Sequence, residues 1–370
     1  MYFDKSFARS RTLIIAFACP QNAERNIAGL PAAVRAVVEA ARTGAASCVV
    51  TAGAGWKPSE VITSEIARLA GDIAVSFANP DTALGRARVT SGEELCARQS
   101  LTGQPQDNAP SSAREMGYSA DTMLRLAQRR AMLGTQKAAD GIVSRTINRP
   151  ISRAISGFLM RFSWIRPIHA TGLTAVAAIF MLAALLSGGQ TGLLIGALLF
   201  QAASIIDGVD GEIARATYRS SRFGAAADSL VDAFTNIAFI GGVVANLAFA
   251  GRGQEAAVGG LGLSAMAVGL TLLGLKSRRS QGNFSFDFVK NEFGQRPSRI
   301  KKALTWLTMR DFYALVGCVL VATGHAGLGL AIFAVVALGW LGVVCTVLAL
   351  HSAPDVLHGS STSTDPHLAR

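Results

Sequence analysis

The sequence predicts an α-helical integral membrane protein with six transmembrane helices, preceded by a soluble N-terminal α/β domain. Half of the 370 residues are hydrophobic and the mean hydropathy is +0.36, although the formal net charge is +11. Residues 170–206 contain no charged side chain, and in residues 312–350 only a histidine could ionise. Each of these two stretches is long enough for two membrane spans of about 20 residues.

Residues 1–136 are predicted to form the soluble domain. They contain three short apolar strand candidates, at 12–18, 48–52 and 73–78. Two helical segments, at 30–42 and 58–69, lie between these strands. Strands that alternate with helices favour a parallel sheet covered by helices. Residues 99–120 are polar and rich in Pro and Ser, so we expect a loop or linker there.

Residues 137–168 are predicted to join the soluble domain to the membrane. From Asp140 to Phe162, large apolar side chains alternate with arginines at helical spacing. A basic amphipathic helix of this kind lies well in the membrane interface.

Residues 169–350 are predicted to be the six-helix membrane domain. Glycine-containing breaks at 187–191 and 324–327 divide each long apolar stretch into two helices. Two further apolar segments, 226–250 and 256–275, supply the third and fourth helices.

Basic residues concentrate in alternate loops of this membrane domain. They precede the first helix, lie between the second and third helices, and fill the segment 276–310 between the fourth and fifth. Because cytoplasmic loops are enriched in Lys and Arg, both termini and the loop between the second and third helices are predicted to be cytoplasmic, in a bacterial-type inner membrane. The polar residues 351–370 would be a disordered tail.

The composition disfavours two classes of protein. The excess of base lies beside apolar segments and only 7% of residues are aromatic, so we expect membrane lipid or phosphorylated substrates, and no nucleic acid, as partners. The five cysteines show no C-x-x-C pair and no regular spacing, which argues against a disulfide or zinc framework.

Four aspartates lie in a region that is otherwise nearly free of charge. Asp207 and Asp210 are three residues apart, and Asp228 and Asp232 are four apart, so each pair shares one face of a helix. Their two helices are predicted to be antiparallel neighbours, so the acids can converge near the cytoplasmic boundary. Such a cluster favours hard divalent cations, Mg²⁺, Mn²⁺ or Ca²⁺, and indicates metal-assisted chemistry on a phosphate.

The spacing of these acids also carries a family signature. Residues 207–232 have the pattern D-x2-D-G-x2-A-R-x8-G-x3-D-x3-D without an insertion. In this pattern the chain resembles the CDP-alcohol phosphotransferases, also called CDP-alcohol phosphatidyltransferases, which are integral membrane enzymes. The resemblance implies transfer of a phospho-alcohol group from a CDP-linked donor to a hydroxyl acceptor with release of CMP. A lipid is expected as a substrate or product, and a homodimer is usual for the family.

The resemblance assigns roles to the four acids. Asp207, Asp210 and Asp228 would be ligands of Mg²⁺ or Mn²⁺, with two ions expected. Asp232 would be a further ligand and the general base toward the acceptor hydroxyl.

The resemblance also implies a wall of small side chains against which CDP lies. This CDP site would comprise Asp207, Asp210, Gly211, Ala214, Arg215, Gly224 and Asp228. Close packing of helices is the alternative role of the small residues, and a membrane-surface anchor is the alternative for the arginine.

Two further stretches resemble the branch of the family that uses inositol-type substrates. Residues 140–153 are similar to its interfacial helix, and residues 310–313 to the entry of its fifth helix, where a basic residue helps to hold a polar phosphate. Arg149, Arg153 and Arg310 are therefore candidate ligands of an inositol-phosphate-like acceptor or its phosphate. A surface anchor is the alternative for Arg310.

The first membrane helix departs from the family pattern. Many relatives have Pro-Asn at its start, where this chain has Ala170 and Thr171. Any role of that asparagine therefore has no direct counterpart here.

The N-terminal domain resembles, in outline, nucleotidyltransferases that are fused to this membrane domain in bifunctional inositol-phosphate enzymes. Residues 28–31 and the following helix fit that pattern. The Gly-rich loop with Arg or Lys expected after the first strand is absent, and residues 18–25 offer little to cradle a phosphate. We therefore predict a degenerate, non-catalytic domain. The alternative is a bifunctional protein that makes its own CDP-polyol from CTP.

A non-catalytic membrane scaffold or a transporter is the remaining alternative. A transporter would spread ionisable residues along a path through the bilayer, whereas these cluster at one depth. A scaffold would be expected to lose at least one acid of the signature, and all four are present.

Overall fold

The computed structural model describes residues 12–78, 88–98, 119–137, 140–279 and 310–350. Within this part the chain forms two compact units. The first unit contains the described residues up to Ala178, residues 201–235 and residues 310–315, and the second contains the remaining helical segments. The predicted tail, the basic segment after Arg279 and nearly all of the predicted linker 99–120 lie outside the described residues.

The N-terminal domain is built on a four-stranded sheet. Its strands, in chain order, are β1 (Thr12–Ala16), β4 (Ser47–Thr51), β5 (Ala74–Phe77) and β6 (Arg88–Ser91). Their spatial order is β5-β4-β1-β6, and all neighbours are parallel, with Ile14 opposite both Val49 and Val89. A short antiparallel hairpin, β2 (Asn26–Ile27) and β3 (Leu30–Pro31), follows β1. The predicted parallel α/β sheet is confirmed.

In the described part of this domain, five helices surround the sheet. They are α1 (Pro20–Glu24), α2 (Ala32–Arg42), α3 (Glu60–Leu69), α4 (Gly92–Arg98) and α5 (Ala120–Leu133). Ser59 and Ser119 cap α3 and α5 by accepting backbone N–H groups, as serine does at a helix start. The apolar faces of the helices bury Val37, Ile62 and Leu124 in one core with Ile15 of the central strand.

Several of these elements were not predicted from the sequence: α1, the β2–β3 hairpin, β6, α4 and α5. The edge strand β6 has the sequence Arg-Val-Thr-Ser, which contains one large apolar residue and therefore gives no apolar run. Helix α4 follows it directly with two acidic residues in its first turn.

The segment predicted to be interfacial is helical, but it is not uniform. A wider π-helical turn at Ser144–Asn148 precedes the regular helix α6 (Arg149–Leu159). Pro150 explains the turn, because it has no N–H to donate to the carbonyl of Thr146 and its ring crowds that carbonyl. Beyond this turn, α6 exposes Ile151 and Phe158 and buries Ser152 and Ser156.

Six apolar helices follow within the described residues: α7 (Pro167–Leu186), α8 (Gly189–Ala216), α9 (Arg222–Phe249), α10 (Gly253–Arg279), α11 (Arg310–Ala322) and α12 (Ala326–Leu350). Glycines with positive φ, including Gly188, Gly251 and Gly324, lie in the turns, where the sequence predicted breaks. Five of these helices are long and apolar enough to cross a membrane, and α11 is apolar but shorter. A membrane protein with several spans is thus supported, while the number six stays a prediction.

Glycines allow close helix packing in the second unit. A side chain at Gly262 or Gly269 would collide with Phe333 or Trp340, so α10 and α12 approach each other at these positions. In the same unit, the Asn246 amide of α9 donates a hydrogen bond of 2.7 Å to the carbonyl of Leu185 at the end of α7. A polar link of this kind is valuable where water is absent.

Candidate metal and phosphate site

Helices α8 and α9 bring three of the four aspartates together. Asp207 lies on α8, and Asp228 and Asp232 lie on α9. Each offers a carboxylate oxygen, and these oxygens lie within 4.8 Å of one another. All three side chains are half-buried, so the group is accessible to a ligand but shielded from bulk water. This arrangement is possible because a short turn joins the two helices.

Asp210 lies beside this group. Its side chain is only 7% exposed, and its Oδ2 accepts a hydrogen bond of 2.6 Å from Thr171 Oγ1. The carboxyl group of Asp228 contacts those of both Asp207 and Asp210. The Thr171 hydroxyl thus supplies a polar contact from the start of α7 to the aspartate motif.

Four carboxyl groups in so small a volume repel one another when ionised. Such a group stabilises a bound cation, because the cation offsets the repulsion and accepts oxygen ligands. Lys137 acts electrostatically on Asp228 from the end of the soluble domain. The donor set of oxygen atoms alone fits Mg²⁺ or Mn²⁺ better than zinc or copper.

The small residues of the signature lie where the sequence placed them, on α8 and α9. A Cβ at Gly211 would lie 2.8 Å from Arg215 Nη1, so glycine lets the guanidinium rest against its own helix. Ala214 is half-buried two residues before the end of α8. The Gly224 amide donates to Ser221 Oγ at 2.9 Å, at the start of α9. Whether these residues contact CDP stays a prediction.

Arg215 contacts the end of the N-terminal domain. Its Nε donates a hydrogen bond of 2.7 Å to the carbonyl of Thr135. Its Nη2 is buried and makes no hydrogen bond within the described residues. The guanidinium therefore retains an N–H group that could donate a hydrogen bond to a phosphate oxygen.

Glu212 is a site residue that sequence reasoning missed. It is fully buried and accepts hydrogen bonds from Arg149 Nη1 at 2.9 Å, Ser152 Oγ at 2.7 Å and Ser156 Oγ at 2.6 Å. These three donors form one stripe of α6 at helical spacing. Glu212 thereby fastens the interfacial helix to the helix that carries Asp207 and Asp210.

Arg149 is committed to this network. Besides Glu212, it bonds both oxygens of Asp140, at 2.9 and 3.0 Å, and its side chain is buried. Burial opposes the charge, but the hydrogen bonds to Asp140 and Glu212 raise the pKa of Arg149 overall. The bidentate contact fixes the guanidinium, so its position is that of a structural partner of α8.

The other two candidate phosphate ligands are placed differently. Arg153 is half-buried on α6, and its Nε donates to the carbonyl of Arg149 at 3.1 Å. Arg310 begins α11, but its side chain lies outside the described residues. The neighbouring Asp311 accepts a hydrogen bond of 2.6 Å from the amide of Ser144, which links α11 to the π-helical turn.

The N-terminal α/β domain carries a buried acid at the position where folds of this kind bind a nucleotide. Ligands of such sheets bind beyond the carboxyl ends of the strands where the strand order reverses, here between β1 and β6. Glu93 is 2% exposed there and accepts hydrogen bonds from the Ala18 amide at 2.9 Å, Asn22 Nδ2 at 2.8 Å and Ser91 Oγ at 2.8 Å. The Glu93 carboxylate thus occupies hydrogen-bond donors that a bound phosphate would need.

A cavity of about 470 Å³ lies elsewhere in the first unit, between the β2–β3 hairpin, α5 and α6. It is lined by Arg25, Arg125, Arg129 and Arg161 among others, and none of the four aspartates reaches it. We therefore place the candidate site at the aspartates, where the chemistry is, and not at this cavity.

Part of the chain matches a known protein family and is similar to known proteins. Residues 167–348 match the family model described as CDP-alcohol phosphatidyltransferase. The chain is also similar to proteins named "Bifunctional IPC transferase and DIPP synthase" from Aquifex aeolicus, 38% identical over 109 residues, and Thermococcus kodakarensis, 37% identical over 117 residues. These matches cover 29% and 31% of this chain and only 24% and 25% of the two relatives.

Proposed function

Because residues 167–348 form a domain of the CDP-alcohol phosphatidyltransferase family, we propose that this protein transfers a phospho-alcohol group from a CDP-linked donor to a hydroxyl acceptor and releases CMP. The observation that carries the proposal is the carboxylate group of Asp207, Asp228 and Asp232 with Asp210 beside it. These are the four acids of the family signature. The product would be a phospholipid or an inositol-phosphate lipid.

The four acids would hold the metal. The family generally uses divalent ions, and oxygen atoms within 4.8 Å of one another suit them. We propose that Asp207, Asp210, Asp228 and Asp232 bind two Mg²⁺ or Mn²⁺ ions. When bound, such ions neutralise the negative charge that develops on the phosphate oxygens and on the leaving group.

Asp232 would act as the general base. The acceptor oxygen forms a bond to the distal phosphorus of the donor while the bond from that phosphorus to the bridging oxygen breaks. CMP leaves with the bridging oxygen, and the proton of the acceptor hydroxyl passes to the Asp232 carboxylate. The half-buried position of Asp232 is compatible with this role because substrate could reach it.

CDP would lie along the faces of α8 and α9 that carry Gly211, Ala214 and Gly224. Small side chains there leave room for a nucleotide, and the buried Nη2 of Arg215 could donate to a phosphate oxygen. For the acceptor, Arg153 and Arg310 remain the proposed phosphate ligands. Arg149 would act indirectly, by positioning α8, because its guanidinium is already engaged by two carboxylates.

In the membrane, α11 would be the fifth of six spans. The positive-inside rule then places the aspartates and both termini on the cytoplasmic side of a bacterial-type inner membrane. The substrates would enter at that boundary, where a lipid and a polar molecule can meet. A homodimer is expected from the family resemblance alone.

A second candidate is a bifunctional enzyme whose N-terminal domain also makes the CDP-linked donor from CTP. The word bifunctional in the names of the relatives favours it. Glu93 disfavours it, because its carboxylate accepts the Ala18 amide at the end of β1 and adds negative charge where CTP phosphates would bind. We propose that the domain is degenerate.

The test is CMP release by the purified full-length protein in detergent. A panel of CDP-diacylglycerol and CDP-polyol donors with polyol and polyol-phosphate acceptors is supplied with Mg²⁺ or Mn²⁺. We expect CMP that depends on donor, acceptor and metal and is lost in Asp232→Asn. CTP consumption is followed in parallel, because it would support the bifunctional candidate.

Two results would count against the proposal. CMP release at the wild-type rate in Asp232→Asn would show that Asp232 is not the general base. The absence of both turnover and metal-dependent donor binding would favour the non-catalytic scaffold.

A further inference from the structure

The turn between the two motif helices is held by the soluble domain. Helix α8 ends at Ala216 and α9 begins at Arg222, and residues 217–221 connect them. The last carbonyl groups of a helix have no partner within the helix and carry partial negative charge. Two arginines of the N-terminal domain, Arg35 and Arg68, donate to the last carbonyl of α8 and to the first two carbonyls of the turn.

Arg35 of α2 makes the deeper contact. Its side chain is completely buried, and Nη2 donates to the carbonyl of Ala216 at 2.8 Å. The same guanidinium bonds the carbonyls of Ile27 at 2.6 Å and Ala28 at 3.0 Å. It therefore joins α2, the β2–β3 hairpin and the end of α8.

Arg68 of α3 makes the second contact. Its Nη2 donates to the carbonyl of Thr217 at 2.8 Å and its Nη1 to that of Tyr218 at 3.0 Å. Glu65, one turn earlier on α3, pairs both with Arg68 and with Arg219 of the turn. The planar fork of arginine suits two carbonyls at once, which a lysine cannot match.

The turn is strained and closely packed. Tyr218 has a φ of +53°, which is unfavourable for a residue with a large side chain. The guanidinium of Arg42 lies 5.1 Å from the centre of the Tyr218 ring, and Gly29 leaves space that Thr217 fills. Such a conformation persists only when surrounding contacts fix it.

The held turn is close to the acids in space. Ala216 follows Asp210 by six positions, which is about 9 Å along a helix. Asp228 follows Ser221 by seven positions, a similar distance. Because helices are stiff, a displacement of the turn changes how the acids of α8 face those of α9.

We infer that the soluble domain serves in this chain as a structural cap that fixes α8 and α9 relative to each other. Arg35 and Arg68 are positioning residues for the aspartates. The buried Glu93 agrees with this role, because a domain whose nucleotide position is filled can still hold the turn. The inference rests on the proposed metal-binding function of the aspartates.

The experiment uses Arg68→Ala, Arg68→Lys and the matched control Arg125→Ala in the full-length protein in detergent. Arg125 lies on α5 of the same domain, is 73% exposed and pairs with Asp121. Mn²⁺ affinity is measured by electron paramagnetic resonance, CMP release gives kcat and KM for the donor, and Tm reports stability. Arg35→Ala is a further variant, read only where it remains folded.

For Arg68→Ala we expect Mn²⁺ affinity and kcat to fall about 10-fold, because a change distant from the reacting groups that misplaces them lowers rates by up to about 100-fold. Arg68→Lys should recover part of the loss, since lysine keeps the charge but not the fork. Arg125→Ala should match wild type.

A lower Tm for Arg68→Ala with wild-type Mn²⁺ affinity and kcat, measured well below Tm, would overturn the inference, because the arginine would then only stabilise the domain. An equal loss in Arg125→Ala would overturn it as well. If wild type itself neither bound Mn²⁺ nor released CMP, the proposed function would fail instead.

Discussion

Neutralising Glu212 tests whether the interfacial helix depends on a buried charge network. In Glu212→Gln the side chain keeps its shape and one oxygen, but its charge is lost and an NH₂ group faces donors. Arg149, Ser152 and Ser156 all donate to the carboxylate at 2.9, 2.7 and 2.6 Å. At least one of these donors is left without an acceptor.

The expected cost follows from burial. Removing one partner of a buried ion pair costs about 3 to 5 kcal/mol. Asp140 still pairs with Arg149, so we expect the lower end, about 3 kcal/mol. For a domain of this size Tm falls by roughly 2 to 4 °C per kcal/mol, which gives a decrease of roughly 6 to 12 °C.

The assay is thermal unfolding of the purified protein in detergent, with Glu255→Gln as the matched control. Glu255 also pairs with an arginine, Arg252, but the two side chains are 36% and 37% exposed. Exposed pairs contribute about 0 to 1 kcal/mol, so this control should change Tm little. A Glu212→Gln protein as stable as wild type, or a control that loses as much, would refute the reasoning.

Three further predictions concern the aspartates and the soluble domain. Asp228→Asn should abolish Mn²⁺ binding measured by electron paramagnetic resonance while leaving the far-ultraviolet circular dichroism unchanged. If the variant still binds Mn²⁺, Asp228 is not a metal ligand. Thr171→Val should lower CMP release about 10-fold because Asp210 loses its hydroxyl donor. Thr171→Ser should stay near wild type. Equal activity in both variants would contradict a role of the Thr171 hydroxyl in positioning Asp210. Burial raises the pKa of Glu39, partly offset by Arg42, so the folded protein holds this proton more tightly and loses stability as the pH rises above the ordinary value of 4.5. Glu39→Gln should therefore raise Tm at neutral pH, and the gain should vanish as the pH falls below that value; a gain that persists there would contradict this sign.

The membrane helices and the α/β sheet could be predicted because their signals are local. The breaks predicted at 187–191 and 324–327 contain the positive-φ glycines Gly188 and Gly324. A long apolar run interrupted only by glycine allows few other structures, since every backbone group in a membrane has to be paired. Strand β6 escaped prediction because an edge strand need not be apolar.

The sequence predicted that the four aspartates lie together. It did not predict that three of them form one group while Asp210 makes a separate buried contact. Spacing places Asp207 and Asp210 on one face of α8, yet Thr171 draws Asp210 into a buried contact beside the group of three. Glu212 was missed because its partner Arg149 is 63 residues away in the sequence. The stripe Arg149, Ser152 and Ser156 on an otherwise apolar and basic helix was the available signal, since buried polar side chains at helical spacing need a partner.

One short segment of α8 therefore has two tasks on opposite faces. Glu212 follows Asp210 by two residues, which turns it by about 200° around the helix, toward α6 and away from the aspartates. Gly208 leaves room on that side for Arg149, as a Cβ there would lie 3.3 Å from its Nη1. Because the segment is rigid, α6 on one face and the soluble domain at its end together determine where the acids point. Activity in Glu212→Gln should consequently fall by more than the loss of folded protein explains, even at temperatures well below its Tm.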